Sequence, residues 1–89
     1  MQDIQSLECV LKALANRKRL QIVRFLKKKH SSSVGEIAKA IHLSFHGTSK
    51  HMQILRVAGI VTERKRGVYV IYRLSLKKEE LTKRVIELL

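Results

Sequence analysis

The sequence predicts a mainly α-helical chain with one small β-hairpin, in the order α-α-α-α-β-β-α. Three features predict it: four stretches whose apolar residues recur every three or four positions, two β-branched and aromatic runs flanking Gly67, and a closing amphipathic stretch. A chain of 89 residues has room for one core, so residues 1–89 are expected to form a single domain.

The first helix is expected over about residues 3 to 15, where Ile4, Leu7, Val10, Leu11 and Leu14 line one face. Asn16 reads as the N-cap of a second helix, with Leu20, Val23 and Leu26 turned inward and Ile22 and Phe25 flanking them; it fades in Lys27, Lys28 and Lys29. Ser31, Ser32 and Ser33 then make a polar connection. Ser33 and Glu36 have capping-box spacing and open a short third helix through Val34, Ile37, Ala38 and Ile41.

After a break at His42-Leu43-Ser44, Ser44 caps a fourth helix that buries Thr48, Met52, Leu55 and Ala58 and stops at Gly59. Ile60-Val61-Thr62 and Tyr69-Val70-Ile71-Tyr72 read as strands around Glu63-Arg64-Lys65-Arg66-Gly67, a hairpin with a basic tip. Leu76, Leu81, Val85, Leu88 and Leu89 mark the last helix, with Glu79 and Glu80 near its positive N-terminal end.

Charge narrows the partners. Lysine and arginine number 19 against 7 acidic residues, a formal +12 whose field favours a polyanion. No stretch approaches the roughly 20 apolar residues that span a bilayer, so nucleic acid is favoured over membrane. There is no glycine-rich phosphate loop, nucleophile elbow or carboxylate cluster, and no enzyme or cofactor is expected. Cys9 is the single cysteine, which excludes an intrachain disulfide. With no basic and apolar leader at Met1-Gln2-Asp3, a cytoplasmic protein is expected.

Two short helices joined by a tight turn and followed by a hairpin form a winged helix-turn-helix, the layout that seats one helix in the major groove of double-stranded DNA while a basic loop reaches a neighbouring groove or phosphate. The exposed positions near the start of the fourth helix are Phe45, His46, Gly47, Ser49, Lys50 and Gln53, next to the cap Ser44. Lys50 suits guanine or phosphate, Gln53 adenine and Phe45 a thymine methyl, while Ser49 is permissive and Gly47 admits close backbone approach. Arg64, Lys65 and Arg66 are the wing candidates. A solvated face that touches nothing competes with the first set, and charge that merely blocks edge aggregation competes with the second.

Residues 14 to 74 also resemble the ArsR-type repressors. Leu14-Ala15-Asn16-Arg17-Lys18-Arg19-Leu20 is similar to their LADPTRL, residues 43 to 61 (LSFHGTSKHMQILRVAGIV) to their LSQPTVSRHLKVLREAGLV, and residues 66 to 74 (RGVYVIYRL) to their EGRWVYYRL. The resemblance implies a dimeric winged helix that represses transcription, with the first and last helices at the interface, and it puts His51 near the DNA backbone. Ile4, Leu7, Val10, Leu11 and Leu14 with Leu81, Val85 and Leu88 supply apolar stripes for that homodimer.

Departures from the family pattern bear on metals. Val34-Gly35-Glu36-Ile37-Ala38 lacks the Cys-x-Cys pair of soft-metal sensors, and residues 76–89 contain no histidine. His42 and His46 lie four apart, but one in a turn and one at a helix start do not guarantee convergence, so no metal is expected. Cys9 is expected to be a buried small hydrophobe rather than a sensor thiol. A non-specific architectural nucleic-acid-binding protein and a winged helix used for protein contacts remain the alternatives.

Overall fold

The computed structural model describes residues 3–77 and 79–89. Its elements are α1 (Ile4–Leu14), α2 (Arg17–Lys29), β1 (Ser32–Ser33), α3 (Val34–Ile41), α4 (Phe45–Val57), β2 (Val61–Arg66), β3 (Tyr69–Leu74) and α5 (Glu80–Leu88). Local chemistry accounts for the helix starts. Asp3 accepts from the Ser6 amide at 2.6 Å, Asn16 from Arg19 at 3.1 Å and Ser44 from Gly47 at 3.0 Å. Ser33 and Glu36 form the full capping box. These bonds also hold the Asp3 and Glu36 carboxyls below the usual carboxylate range, chiefly through the backbone amides of Ser6 and Ser33.

One apolar cluster runs through the chain. It joins Val10 and Leu14 of α1, Ile22, Val23 and Leu26 of α2, Ile37 and Ile41 of α3, Met52 and Leu55 of α4, Val61 and Tyr72 of the hairpin, and Ile86 of α5. Lys27 at the end of α2 reinforces the last contact by donating from Nζ to the Ile86 carbonyl at 3.0 Å. Val10 and Leu14 were expected at a subunit interface. They are instead buried inside their own chain, because α1 lies against α2 and α4 and those two positions face inward.

The sheet corrects the expected hairpin. Glu63, Arg64, Lys65 and Arg66 are not its tip but the body of β2, paired antiparallel with Tyr72, Ile71, Val70 and Tyr69. The turn is Gly67-Val68, with Gly67 at φ 62°; a left-handed glycine in a two-residue turn suits the twist of the flanking strands. The β-branched and aromatic partners on β3 hold the charged run extended, which composition alone does not reveal. Ser32 and Ser33, expected as connection, add a short third strand opposite Tyr72 and Ile71, giving the order β1-β3-β2.

Two smaller expectations also change. Leu76 precedes α5 and is exposed rather than on its apolar face. Cys9 is exposed rather than buried, at the edge of a groove with Ala13, Ile54 and Val57. It lies one helical turn before the buried Ala13, at the rim of the side that α1 turns to α4.

Candidate nucleic-acid interface

Helix α4 is anchored from within and open from without. Thr48, Met52 and Leu55 recur on one side and are fully buried. The opposite side therefore presents His46, Lys50 and Gln53 to solvent, with Phe45 63% exposed at the first turn and Ser49 half-buried beside it. Ser44 and Gly47 form the capped start. A Cβ on Gly47 would lie 3.1 Å from Ser44 Oγ and 3.3 Å from the Leu43 side chain, so the glycine makes room for the chain's own cap. The turn before α4 is equally tied: His42 takes a left-handed conformation at φ 56°, and the Leu43 amide donates to the Ala38 carbonyl at 3.0 Å.

His51 occupies the flank of α4 that faces α2. An arginine only donates, so the 3.2 Å contact from Arg19 Nη1 makes His51 Nδ1 the acceptor and leaves the ring proton on Nε2. Burial, then the Arg19 and Lys18 cations, lower the His51 pKa below its ordinary 6.5. Arg19 also donates to the carbonyls of Ala13 and Lys12, so one guanidinium ties the end of α1 to the middle of α4. The structure thus gives His51 a bracing contact within the protein.

The opposite flank of α4 is bonded to the wing. Gln53 Nε2 donates to the Tyr72 hydroxyl at 3.2 Å, and Tyr72 donates to Glu63 Oε2 at 2.8 Å. Arg56 Nε lies 3.7 Å from Glu63 Oε1 and donates to Gln53 Oε1 at 3.0 Å, closing a ring of four side chains. Burial, then the bond to Glu63 and its charge, push the Tyr72 phenol up to about 12, so it remains a neutral donor. Beside the ring, a cleft of about 430 Å³ separates Phe45 and Ser49 from Val68 and Tyr69.

Alternation along β2 sorts the basic residues. Thr62, Arg64 and Arg66 point to one face and Val61, Glu63 and Lys65 to the other. Val61 is buried and Glu63 is bonded toward α4, so Arg64 and Arg66 belong to the outer face. The register brings Arg73 opposite Thr62, and all three guanidinium-bearing residues line one shallow cavity of about 250 Å³. Among the described residues none of the three is in an ion pair.

Composition singled out neither Arg73 nor the ring residues Arg56, Glu63 and Tyr72, since their grouping depends on strand register and on how α4 packs against β2. The terminal helices leave Ile4, Leu11 and Leu88 exposed and Leu7, Leu81 and Val85 partly so. Among the described residues, no three His, Cys, Asp or Glu side chains converge to hold a metal ion, and no helix is long and apolar enough to cross a membrane.

Comparison with known proteins gives consistent matches. The model of the arsR family of bacterial regulatory proteins matches residues 16–63. The transcriptional activator HlyU of Vibrio cholerae is 41% identical over 80 residues, which cover 90% of this chain and 70% of the relative. The arsenical resistance operon repressor of Escherichia coli K12 is 36% identical over 66 residues, 74% of this chain and 56% of the relative, so the chain spans little more than half of that protein. Among solved structures, HlyU from Vibrio cholerae superposes with a TM-score of 0.80 at 38% identity, covering 94% of this chain and 87% of that one. A homodimeric winged helix-turn-helix DNA-binding domain from Mycobacterium bovis gives 0.81 at 32% identity, covering 96% and 75%.

Proposed function

The chain belongs to the arsR family of bacterial regulatory proteins, and from that premise we propose that it binds a two-fold-symmetric operator in double-stranded DNA as a homodimer and represses transcription there. The observation that carries this reading is the exposed start of α4 together with an arginine face on the wing that is unpaired among the described residues. A helix of this kind fits a major groove about 12 Å wide, with its N-terminal side chains toward the base edges. Lys50, His46, Ser49 and Phe45 occupy that position; Ser44 and Gly47 lie at the helix start, where backbone approaches phosphate.

Dimerisation rests on the exposed Ile4, Leu11 and Leu88 with the half-buried Leu7, Leu81 and Val85. Covering these in an isologous interface places two recognition helices about one DNA turn, roughly 34 Å, apart. Repression is the output that occupancy of a promoter supports without any further contact. The names of similar proteins include both an activator and a repressor, so a reporter must read the sign. The protein acts in the cytoplasm as a single domain and holds no resident metal. Elemental analysis finding about one metal per chain, with metal-dependent release of DNA, overturns that last point.

Selection of bound sequences from random duplex DNA tests the reading. A two-fold-symmetric consensus is expected. Recovery of sequences with no shared element assigns the protein instead to non-specific binding driven by its +12 charge.

A further inference from the structure

The ring of Gln53, Tyr72, Glu63 and Arg56 has a property that the surrounding basic surface lacks. It places a carboxylate, Glu63, between the recognition helix and the wing of a chain with formal charge +12. Any anion there repels phosphate, so its presence calls for a compensating role. The ring also engages both ends of the Gln53 amide, with Nε2 on Tyr72 and Oε1 on Arg56, which leaves a weaker case for that side chain as a reader of adenine.

We propose that Glu63 and Tyr72 are positioning residues for operator recognition: through Gln53 and Arg56 they clamp the wing to the recognition helix, and so set specificity without touching a base. This rests on the operator-binding reading above. Two of the four side chains stand on α4 and two on the hairpin, so every bond between the pairs fixes one DNA-contacting element relative to the other.

Beyond Glu63 and Tyr72 the hairpin continues through three further cross-strand pairs to a two-residue turn, and all of Arg64 to Tyr69 is exposed. The ring therefore lies at the base of the free part of the wing, where a small change of angle becomes a large displacement of the tip. A specific complex requires helix and wing to seat together, and joining them rigidly raises the effective concentration of the second contact once the first is made. Binding to random DNA needs only charge near phosphate and gains little from the clamp.

Two variants separate the clamp from electrostatics. Tyr72→Phe keeps the core ring and every charge but removes the hydroxyl that both accepts from Gln53 and donates to Glu63. Glu63→Gln removes a negative charge, which by Coulomb attraction alone strengthens binding to any duplex. Affinities are measured by titration against the selected operator and a scrambled duplex, and hydrogen exchange of the hairpin amides is followed in the free protein.

For Tyr72→Phe, the operator-over-scrambled preference is expected to fall about three- to ten-fold, the range that one net hydrogen bond supports, with scrambled-duplex affinity and salt slope unchanged. Glu63→Gln is expected to bind scrambled duplex more tightly while losing preference by a similar factor. The double variant, which removes both the Gln53–Tyr72 and the Arg56–Glu63 bond, is expected to lose more than either single one but less than their product, since the two bonds share one ring. Exchange at residues 64–71 quickens in both. An unchanged preference in Tyr72→Phe, or losses that multiply in the double variant, overturns the specificity role, and unchanged exchange overturns the clamp itself. A wild-type protein that shows no operator preference overturns the functional reading, and the specificity role with it, while the exchange measurement still judges the clamp.

Discussion

Neutralising the outer face of the wing provides the most quantitative test of how this protein holds DNA. Arg64, Arg66 and Arg73 line one cavity on the side of the sheet away from α4 and are in no ion pair among the described residues. An unpaired guanidinium is free to neutralise a phosphate, and each phosphate contact contributes about 0.9 to the log–log slope of affinity against salt. Three arginines on each of two subunits make six contacts, so replacing all three by glutamine is expected to flatten the slope by about 5. Between 50 and 200 mM salt, a slope difference of that size corresponds to about a thousand-fold in relative affinity.

The assay is a fluorescence-anisotropy titration of wild type and the triple variant at four or more salt concentrations, on operator and scrambled duplexes in parallel. Both duplexes should lose the same increment of slope, because phosphate contacts carry no sequence information. Lys65, which alternation places on the other face, provides the single-site control. A triple variant whose slope stays within about 1 of wild type would refute the assignment of this face to DNA. A loss confined to operator would instead show an arginine reading a groove.

Three further outcomes follow from the same geometry. Thr48 is fully buried with no partner for Oγ1 among the described residues, so Thr48→Val is expected to stabilise the fold by about 1–3 kcal/mol, raising Tm by about 4–8 °C per kcal/mol, with operator affinity intact; a lower midpoint in urea unfolding sinks it. His51 has a lowered pKa in the fold, so the unfolded chain binds the extra proton first. Its stabilising effect is complete above pH 6.5 and is lost as pH falls from there through the lowered folded value. His51→Gln should remove that part of the stability–pH curve, and identical curves for the two proteins would refute the lowered His51 pKa. Leu11 and Leu88 are exposed in the chain, so Leu11→Glu with Leu88→Glu should leave the fold intact and shift sedimentation from dimer to monomer; a persistent dimer places the interface elsewhere.

Much of the fold was legible because its signals are local. Asn16, Ser33 with Glu36, and Ser44 cap the helices where their spacing placed them, and Thr48, Met52 and Leu55 are buried as their periodicity required. The candidate recognition face follows as the complement of that buried stripe. The wing is less legible. Four charged residues in a row look like a loop, and only their pairing with Tyr69 to Tyr72 makes them a strand.

Sequence alone thus determined the order of the five helices and the hairpin, the starts of the first four helices and the cationic character, since capping, periodicity and net charge are properties of residues near one another in the chain or of their sum. Tertiary structure decided which groups meet. Val10 and Leu14 went to the core and Ile4 and Leu11 to the surface because α1 presents one side to α2 and α4. Arg73 joined Arg64 and Arg66 through strand register, and Gln53 met Glu63 through Tyr72 because α4 packs against β2. These groupings join residues on different elements, and no helical or strand period relates side chains across an element boundary.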